Sequence, residues 1–277
     1  MSDVEPGFQS KIWQEEAEAD NPFAAHACYC HGYDVYGDVL GKAGWAEYLY
    51  LLFRGERPSP SQARMLDALM VALANRGPRD PAVRAAMNGG VGGSTAAGSL
   101  MAALAVGAGQ YGGAHEVCLA MQLWAKGGLQ LEAWETALGQ LSDNRNVDIW
   151  LPVEHAPGFD PNGESCPTPV RQTLAYLAHL ETAGPLGWLM REREALEALA
   201  GAPLAMTGVV AAALFSLGFS PEQGEMLFLF SGLPGAAVHA LEQQETGWRK
   251  FPFVGNRIHL QDDPGPMGMP DISEFGL

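Results

Sequence analysis

Apolar residues recur every three or four positions along most of the chain, which is the spacing of one face of an α-helix. Over residues 42–54 this pattern predicts a helix that ends at Gly55, since glycine readily follows the last turn of a helix. Ser59 and Pro60 are typical of a helix start and precede a second apolar run that closes at Gly77. Further helical patterns cover residues 95–108, 114–126, 131–142, 168–183, 188–200, 206–217, 221–231 and 234–246. We therefore expect an all-α protein.

Three stretches depart from the helical pattern. Residues 146–153 are the only ones that resemble a strand, and one isolated strand cannot build the sheet of a parallel α/β fold. Residues 152–169 contain five prolines, and residues 251–277 also lack helical character. Long irregular stretches in compact proteins are often binding loops or arms that wrap a partner. We expect these last two stretches to contribute to function.

Two apolar segments, residues 93–108 and 203–218, raise the question of membrane insertion. Membrane-spanning helices need about 20 residues with mostly large apolar side chains. These segments are shorter and rich in glycine, alanine and serine, so we interpret both as core helices and expect no membrane association. The acidic N-terminus lacks the basic and apolar regions of a signal peptide, which predicts a cytoplasmic protein.

Composition excludes several classes of function. The chain has 277 residues, 47% of them apolar, enough for one large domain or a large domain with a smaller lobe. Its formal charge of -16 would repel nucleic acid and anionic membranes, so we expect neither as a partner. The four cysteines are too few and too irregularly spaced for a disulfide framework, and we expect free thiols.

Two local motifs suggest ligand binding, and neither has the required spacing. His26, Cys28, Cys30 and His31 are zinc-type ligands, but the usual gaps of two to four residues between ligands are absent. Buried thiols are the favoured interpretation, and we expect no metal. The glycines of NGGVGGS, residues 88–94, could approach a phosphate, yet no Lys-Ser or Lys-Thr pair follows them. We interpret them as a flexible turn before a core helix.

Five strings, in order along the chain, resemble sequences of citrate synthases and of citryl-CoA lyase modules. They are HGYDVYGDVLGKAGWAEYLYLLFRGERPSPSQARMLDALMVALANRGP (31–78), GQYGGAHE (109–116), PGF (157–159), PLAMTGVVAAALFSLGFSPE (203–222) and SGLPGAAVHALEQQE (231–245). The short length, and Tyr111 before Gly-Gly-Ala, look more like the compact citryl-CoA lyase branch. The resemblance implies a citrate synthase-like fold, with residues 1–120 and 215–277 as a large helical domain and residues 121–214 as a smaller inserted helical lobe. It also implies a cleft between them and a homodimer or larger assembly.

The resemblance also assigns roles to catalytic positions, and this chain departs from most of them. Family members make or break a carbon–carbon bond next to a CoA thioester, using a carboxylate base and neutral donors to the enolate oxygen. The aspartate of a PLNVDG-like string is Thr207 here, in PLAMTG. The histidine of a PGFGH-like string becomes Asp160 or Pro161, depending on the alignment of the loop. Tyr111 takes the place of the histidine in HGGA.

Substrate-binding positions change as well. Arg76 in ALANRGP replaces a substrate-binding histidine and keeps a positive charge, whereas Gly232 in SGLPG replaces the substrate-binding arginine. Citrate should therefore bind poorly. His115 and Glu116, at a helix start, either line the cleft or cap the helix.

Two basic positions resemble family contacts to CoA or to the partner subunit. Arg171 follows the loop near the family's CoA phosphate contact and is otherwise a solvated arginine. Arg249, with Lys250, matches a late basic pair that reaches the neighbouring subunit's site, or it is a simple surface pair.

Two hypotheses about function follow. In the first, the site acts on a different acyl-CoA, with Asp160, His155, Tyr111 and Arg76 as the replacement polar set. The Asp160 carboxylate would then be the base, since Thr207 occupies the position of the family's base. A CoA ester would then be the cosubstrate, with no bound cofactor. In the second, catalysis is lost and the chain is a structural or regulatory subunit, paired with an intact homologue, or a binder of an acyl-CoA or a dicarboxylate.

Overall fold

A computed structural model of the chain describes residues 10–143 and 155–251. Most of the described residues lie in eleven α-helices joined by short turns. They are, in chain order, α1 Trp45–Arg54, α2 Pro60–Ala74, α3 Pro81–Val91, α4 Ala96–Gly107, α5 Ala114–Gly127, α6 Leu131–Asp143, α7 Thr168–Leu180, α8 Pro185–Ala200, α9 Met206–Ser216, α10 Pro221–Ser231 and α11 Leu233–Thr246. The all-α prediction is confirmed, and every helix except α3 was predicted.

The predicted helix boundaries around the α1–α2 turn have clear physical causes. Gly55 adopts a left-handed φ of 73°, and its N–H donates to Leu51 O at 2.8 Å, which ends α1. Ser59 Oγ accepts from Gln62 N at 3.2 Å, while Gln62 Oε1 accepts from Ser59 N at 2.8 Å. This reciprocal capping box satisfies two N–H groups at the start of α2.

A small antiparallel sheet precedes the helices, and the sequence analysis missed it. Strand β1, Trp13–Ala17, pairs with β2, Ala25–Cys30, which in turn pairs with β3, Tyr33–Asp34. Every residue of β1 is exposed, so the strand lacks the alternation of apolar and polar positions that reveals a half-buried strand. The predicted strand over residues 146–153 lies outside the described residues.

Helix α3 contradicts the prediction of a flexible turn, because Gly89 and Gly90 lie inside it. A Cβ atom on Gly90 would lie 2.2 Å from Ala240 O in α11, and one on Gly89 would lie 2.7 Å from Ser99 Oγ in α4. The glycines therefore let two neighbouring helices approach closely. The turn before α4 begins only afterwards, with Gly93 at a φ of 75°.

Helix α9 lies at the centre of the described fold. Residues 209–214 are completely inaccessible to solvent, which confirms the predicted core helix over residues 203–218. Trp124 in α5 packs beside it, with ring centroids 4.9 Å from Trp134, 5.7 Å from Trp188 and 6.0 Å from Phe215. The predicted boundaries of the inserted lobe stay a prediction.

The second predicted core helix, α4, is exposed on one side in the isolated chain. Met101, Leu104 and Val106 are 64%, 36% and 47% exposed. The helix carries no charged residue that would favour contact with water along this face. The prediction of a core helix is therefore wrong for the isolated chain, since the fold buries only the opposite face of α4.

Helices α10 and α11 together form one stretch that is long and apolar enough to cross a membrane by composition alone. The stretch Pro221–Thr246 has 26 residues, and an 18-residue segment within it has a mean hydropathy of 1.2 and is 44% buried in the described structure. Gly235 packs against the backbone of Ala74, and a Cβ there would lie 2.5 Å from Ala74 O. Such close contacts within the protein are typical of a core helix.

Candidate active site around Glu116

The carboxylate of Glu116 joins three distant segments of the chain. The residue lies in the first turn of α5 and is 2% exposed. Its Oε1 accepts from Thr207 Oγ1 at 2.6 Å and from Gly158 N at 3.0 Å. Its Oε2 accepts from Gly112 N and lies 3.6 Å from His155 Nε2. The partners of the two oxygens therefore lie in the turn before α5, on α9 and in the loop before α7.

These partners keep Glu116 ionised. Burial acts to raise the pKa of the Glu116 carboxyl, but the neighbouring His155 imidazole and hydrogen bonds from Thr207, Gly112 and Gly158 outweigh it and hold the pKa below its ordinary value of 4.5. The N-terminal end of α5 adds the favourable field of the helix dipole. The carboxylate is therefore a structural anion at neutral pH and a weak proton acceptor.

Two glycines bring the loop of His155 against the start of α9. Gly158 adopts a φ of 92°, which favours glycine, and its carbonyl accepts from Ala205 N at 2.9 Å. A Cβ on Gly208 would lie 2.4 Å from Gly158 O. This contact between backbones places the Gly158 N–H and the Thr207 hydroxyl on the same carboxylate oxygen.

His155 is the buried base candidate of the cluster. Its side chain is only 6% exposed, and its Nδ1 has no hydrogen-bond partner among the described residues. The imidazole stacks on the ring of Tyr111, with centroids 5.7 Å apart and an interplanar angle of 29°. Tyr111 is itself half exposed, so it covers one face of the imidazole at the protein surface.

The structure thus brings together four of the residues singled out from the sequence: Tyr111, Glu116, His155 and Thr207. Sequence reasoning assigned Glu116 a substrate-binding role and missed that it is the centre of the cluster. The available signal was an acidic residue in the first turn of a helix directly after Gly-Gly-Ala, where backbone N–H groups converge.

Asp160, the predicted replacement base, shapes its own loop. Its Oδ1 accepts from Asn162 N at 3.0 Å, and its N–H donates to Pro203 O at 2.8 Å. Pro161, the alternative residue at this position, is exposed. No contact among the described residues joins Asp160 to Glu116 or His155, and its catalytic role stays a prediction.

Arg76 forms a second, separate polar centre after α2. Its Nη1 lies 3.0 Å from Asp80 Oδ2, and its guanidinium lies 4.6 Å from the centroid of the Phe228 ring in α10. The side chain is 15% exposed, and Nε has no hydrogen-bond partner among the described residues. Burial lowers the pKa of Arg76, although the Asp80 charge acts the other way. The guanidinium nevertheless stays charged at neutral pH.

Gly232 makes room for Arg76. A Cβ on Gly232 would lie 2.6 Å from Arg76 Nη2. The guanidinium therefore fills space that any larger residue at position 232 would need. Arg76 and Gly232, two positions singled out from the sequence, are thus direct neighbours in the structure.

Helix α10 contacts residues at both centres. His115, next to Glu116 on α5, has its Nδ1 3.5 Å from Glu225 Oε1 of α10. Phe228, which contacts Arg76, is three residues further along α10. The predicted substrate-binding role of His115 stays a prediction.

The two remaining basic candidates lie on the surface. Arg171 is exposed on α7, where its Nη2 donates to Thr168 Oγ1 at 3.0 Å. Arg249 and Lys250 are exposed in the short 3-10 turn Trp248–Lys250. No contact among the described residues joins them to Glu116 or Arg76, and their predicted roles stay predictions.

The HACYCH motif contains buried thiols, as predicted. Cys28 and Cys30 are buried free thiols in β2, and His26 lies 3.4 Å from Glu18 Oε2. Cys118 and Cys166 are also buried free thiols.

Comparison with known proteins finds similarity in structure but not in sequence. No protein-family model and no curated protein matches the chain. Citryl-CoA lyase from Hydrogenobacter thermophilus superposes with a TM-score of 0.66 at 22% identity, covering 95% of each chain.

Two ATP citrate lyases match over part of their length. The enzyme from Methanothrix soehngenii, in complex with citrate and coenzyme A, has a TM-score of 0.65 at 17% identity and covers 94% of this chain. A mutant of the Methanosaeta concilii enzyme, in complex with (3S)-citryl-CoA, has a TM-score of 0.67 at 18% identity and covers 98%. The present chain spans 43% of each. The predicted resemblance is therefore confirmed at the level of structure: the chain has the citrate synthase-like fold of citryl-CoA lyase.

Proposed function

We propose that this protein makes or breaks a carbon–carbon bond next to a CoA thioester, on a substrate other than citrate. The fold it shares with citryl-CoA lyase supports the reaction class. A CoA ester would be the cosubstrate, consistent with the coenzyme A and citryl-CoA complexes of the two ATP citrate lyases. No further cofactor enters the proposal.

One observation supports catalysis most strongly: Nδ1 of His155 is buried without a partner while Nε2 faces the carboxylate of Glu116. The ionised carboxylate favours the tautomer with the proton on Nε2, which leaves a lone pair on Nδ1. A buried imidazole oriented by a carboxylate is the arrangement of a general base. We therefore assign the base to His155, with Glu116 and Thr207 as the groups that position it.

The proposed reaction balances with this base. Nδ1 of His155 takes a proton from the carbon next to the thioester carbonyl, and the C–H electron pair moves into an enolate. The enolate carbon then attacks the carbonyl of an acceptor, and the alkoxide that forms takes the proton back from Nδ1 of His155. Water hydrolyses the thioester of the adduct and releases free CoA. Cleavage of a hydroxyacyl-CoA runs the carbon–carbon step in reverse. Glu116 stabilises the imidazolium that forms, and we assign Tyr111, stacked on this ring, as donor to the enolate oxygen.

Arg76 supports an acidic acceptor smaller than citrate. Position 232 is a glycine, and the Arg76 guanidinium occupies the space beside it. The site would therefore have one guanidinium, which can hold one carboxylate, whereas a pair of cations would hold two. His115 would line the same side of α10. Arg171 would contact the CoA phosphates, and Arg249 would reach the partner subunit's site.

A thiol-release assay with purified protein tests the proposal. We expect acetyl-CoA to bind in calorimetry, and CoA release with a keto acid such as oxaloacetate, pyruvate or glyoxylate. The variant His155→Gln keeps an amide near the position of Nε2 but removes Nδ1, and should lower turnover by about 10²–10⁴ while acetyl-CoA binding persists.

Asp160→Asn is the matched comparison. If Asp160→Asn abolishes turnover and His155→Gln does not, the base is Asp160. If CoA, acetyl-CoA and citryl-CoA all fail to bind, the protein is not an acyl-CoA enzyme.

The second candidate, an inactive subunit or acyl-CoA binder in the cytoplasm, is favoured by the Glu116 carboxylate, whose oxygens both have partners, and by Thr207 at the position of the family base. It predicts binding without turnover, or no binding.

We also infer a homodimer through α4. The exposed Met101 and Leu104, three residues apart, share one apolar face of a helix without charged residues, and such a face marks a protein interface. Leu104→Glu should convert a dimer into a monomer in sedimentation equilibrium, because it would bury an unpaired charge. Val71→Glu, an equally apolar but separate exposed position on α2, should leave the dimer intact. A monomeric wild-type protein would contradict the inference.

A further inference from the structure

We propose that His115, Cys118 and Glu225 form a binding site for a divalent metal ion of the zinc type. Their donor atoms all lie within 4.8 Å of one another. His115 and Cys118 are three residues apart on α5 and therefore share one face, and Glu225 approaches from α10. The inference does not require the proposed reaction, and it assigns His115 to the metal rather than to the substrate.

The geometry suits tetrahedral coordination. Zinc bonds of about 2.0–2.3 Å place neighbouring donors roughly 3.3–3.8 Å apart. The distance from His115 Nδ1 to Glu225 Oε1 is 3.5 Å, within this range. Each of the three donor atoms lies within 4.8 Å of the other two. Small side-chain rotations would therefore bring the Cys118 sulfur to the same ion.

The donor set selects the ion. An imidazole and a thiolate favour zinc, cobalt and related ions over magnesium or calcium, which prefer oxygen ligands. His115 and Glu225 are partly exposed while Cys118 is buried, so the soft ligand lies deepest and solvent can reach the ion from the other side. Three protein ligands leave a fourth position for water or a ligand.

The carboxylates of Glu225 and Glu222 add negative charge near the Cys118 thiol. Burial, then the charges of Glu225 and Glu222, raises the pKa of the Cys118 thiol to about 11. Nearby carboxylates disfavour a thiolate but stabilise any cation at the same point. A bound metal would replace the thiol proton, so that the thiolate forms only together with the ion.

Such an ion would tie α5 to α10 directly beside the candidate active site. His115 precedes Glu116, whose carboxylate orients His155, and α10 carries Phe228 against Arg76. The ion would therefore fix the relative position of the two polar centres.

Cobalt binding to chelator-treated full-length protein tests the site. We expect one Co²⁺ per chain, with a thiolate-to-cobalt charge-transfer band and the strong visible absorption of tetrahedral cobalt, and displacement of both by Zn²⁺. Cys118→Ser should remove the charge-transfer band, and Glu225→Gln, at a partly exposed position, should weaken Co²⁺ binding at least tenfold while circular dichroism stays unchanged. Cys166→Ser removes another buried thiol and should bind Co²⁺ like the wild type.

Two results would overturn the proposal. One is weak octahedral cobalt absorption without a thiolate band in the wild type. The other is a thiolate band that survives in Cys118→Ser and disappears in Cys166→Ser or in a Cys28→Ser, Cys30→Ser double variant. Because the assay reads metal binding rather than thiol release, its outcome is separate from that of the catalytic test.

Discussion

Replacing Glu116 by alanine is expected to lower the free energy of unfolding by about 3–5 kcal/mol, the range for breaking a buried charged network. The change removes the acceptor of Thr207 Oγ1 and of the Gly158 N–H, and leaves both polar groups buried. It also removes the carboxylate beside His155. Chemical denaturation, followed by circular dichroism, measures the loss.

Two further variants make this prediction specific. Glu116→Gln keeps the shape of the side chain, but its amide NH₂ must face an N–H or O–H donor. We therefore expect a clear loss in the free energy of unfolding that is smaller than the loss in Glu116→Ala. Glu135→Ala removes an exposed glutamate from α6 and should change stability by no more than about 0.5 kcal/mol. A Glu116→Ala protein as stable as Glu135→Ala would show that the network does not support the fold.

Acid provides a second measurement on the same carboxylate. Because the folded pKa of Glu116 lies below its ordinary value of 4.5, its contribution is fully present above that pH. It is lost as the pH falls toward the folded pKa. The stability difference between wild type and Glu116→Gln, in chelator-treated protein, should therefore shrink below pH 4.5. A difference that stays constant with pH would contradict the assignment.

Replacing Arg76 by alanine is expected to weaken binding of the acidic acceptor by about 10- to 150-fold, which corresponds to a hydrogen bond to a charged group of about 1.5–3 kcal/mol. The guanidinium is buried beside Phe228 with a free Nε donor, a setting in which an incoming carboxylate gains most. Calorimetry with the keto acid that supports turnover measures the change.

The fold should tolerate loss of Arg76. Asp80 keeps its bonds from Ala82 N at 2.8 Å and Val83 N at 3.1 Å, so it still caps α3 without the arginine. Acetyl-CoA affinity should not change in Arg76→Ala, and acceptor affinity should not change in Arg171→Ala. Arg191→Ala, on the exposed side of α8, controls for loss of positive charge. If Arg76→Ala and Arg191→Ala weaken acceptor binding equally, the effect comes from the loss of positive charge and not from a specific contact of Arg76.

The two hypotheses about function now differ at one atom. In the enzyme, Nδ1 of His155 is a base that the Glu116 carboxylate prepares for proton transfer. In an inactive subunit, the same network only holds α5, α9 and the loop before α7 together. A fall in turnover without a fall in CoA binding, in His155→Gln, separates a chemical role from a structural one.

Much of the architecture could be predicted from local sequence. Helical periodicity, the Ser59–Gln62 capping box and Gly55 act within a few residues, so α1, α2 and the other predicted helices appear close to their predicted bounds. The sequence also determined that position 207 is a threonine, whose hydroxyl cannot itself act as a carboxylate base. The resemblance that led to the fold lay in short strings spread over the chain.

Tertiary structure decided what those local signals left open. Gly89 and Gly90 look like a turn in sequence but pack inside α3, since only the approach of Ser99 and Ala240 explains them. The apolar α4 looks like a core helix, but the number and placement of its neighbours leave one face uncovered.

The site itself is also a product of long-range contacts. Glu116 meets Thr207, 91 positions away, and Gly158, 42 positions away, while Glu225 lies beside His115 and Cys118 from another helix. Sequence determined the residue types and the helices that carry them. Because hydrogen bonds and metal ligands act over about 2–4 Å, only the packing of α5 against α9 and α10 decided which of these residues act together.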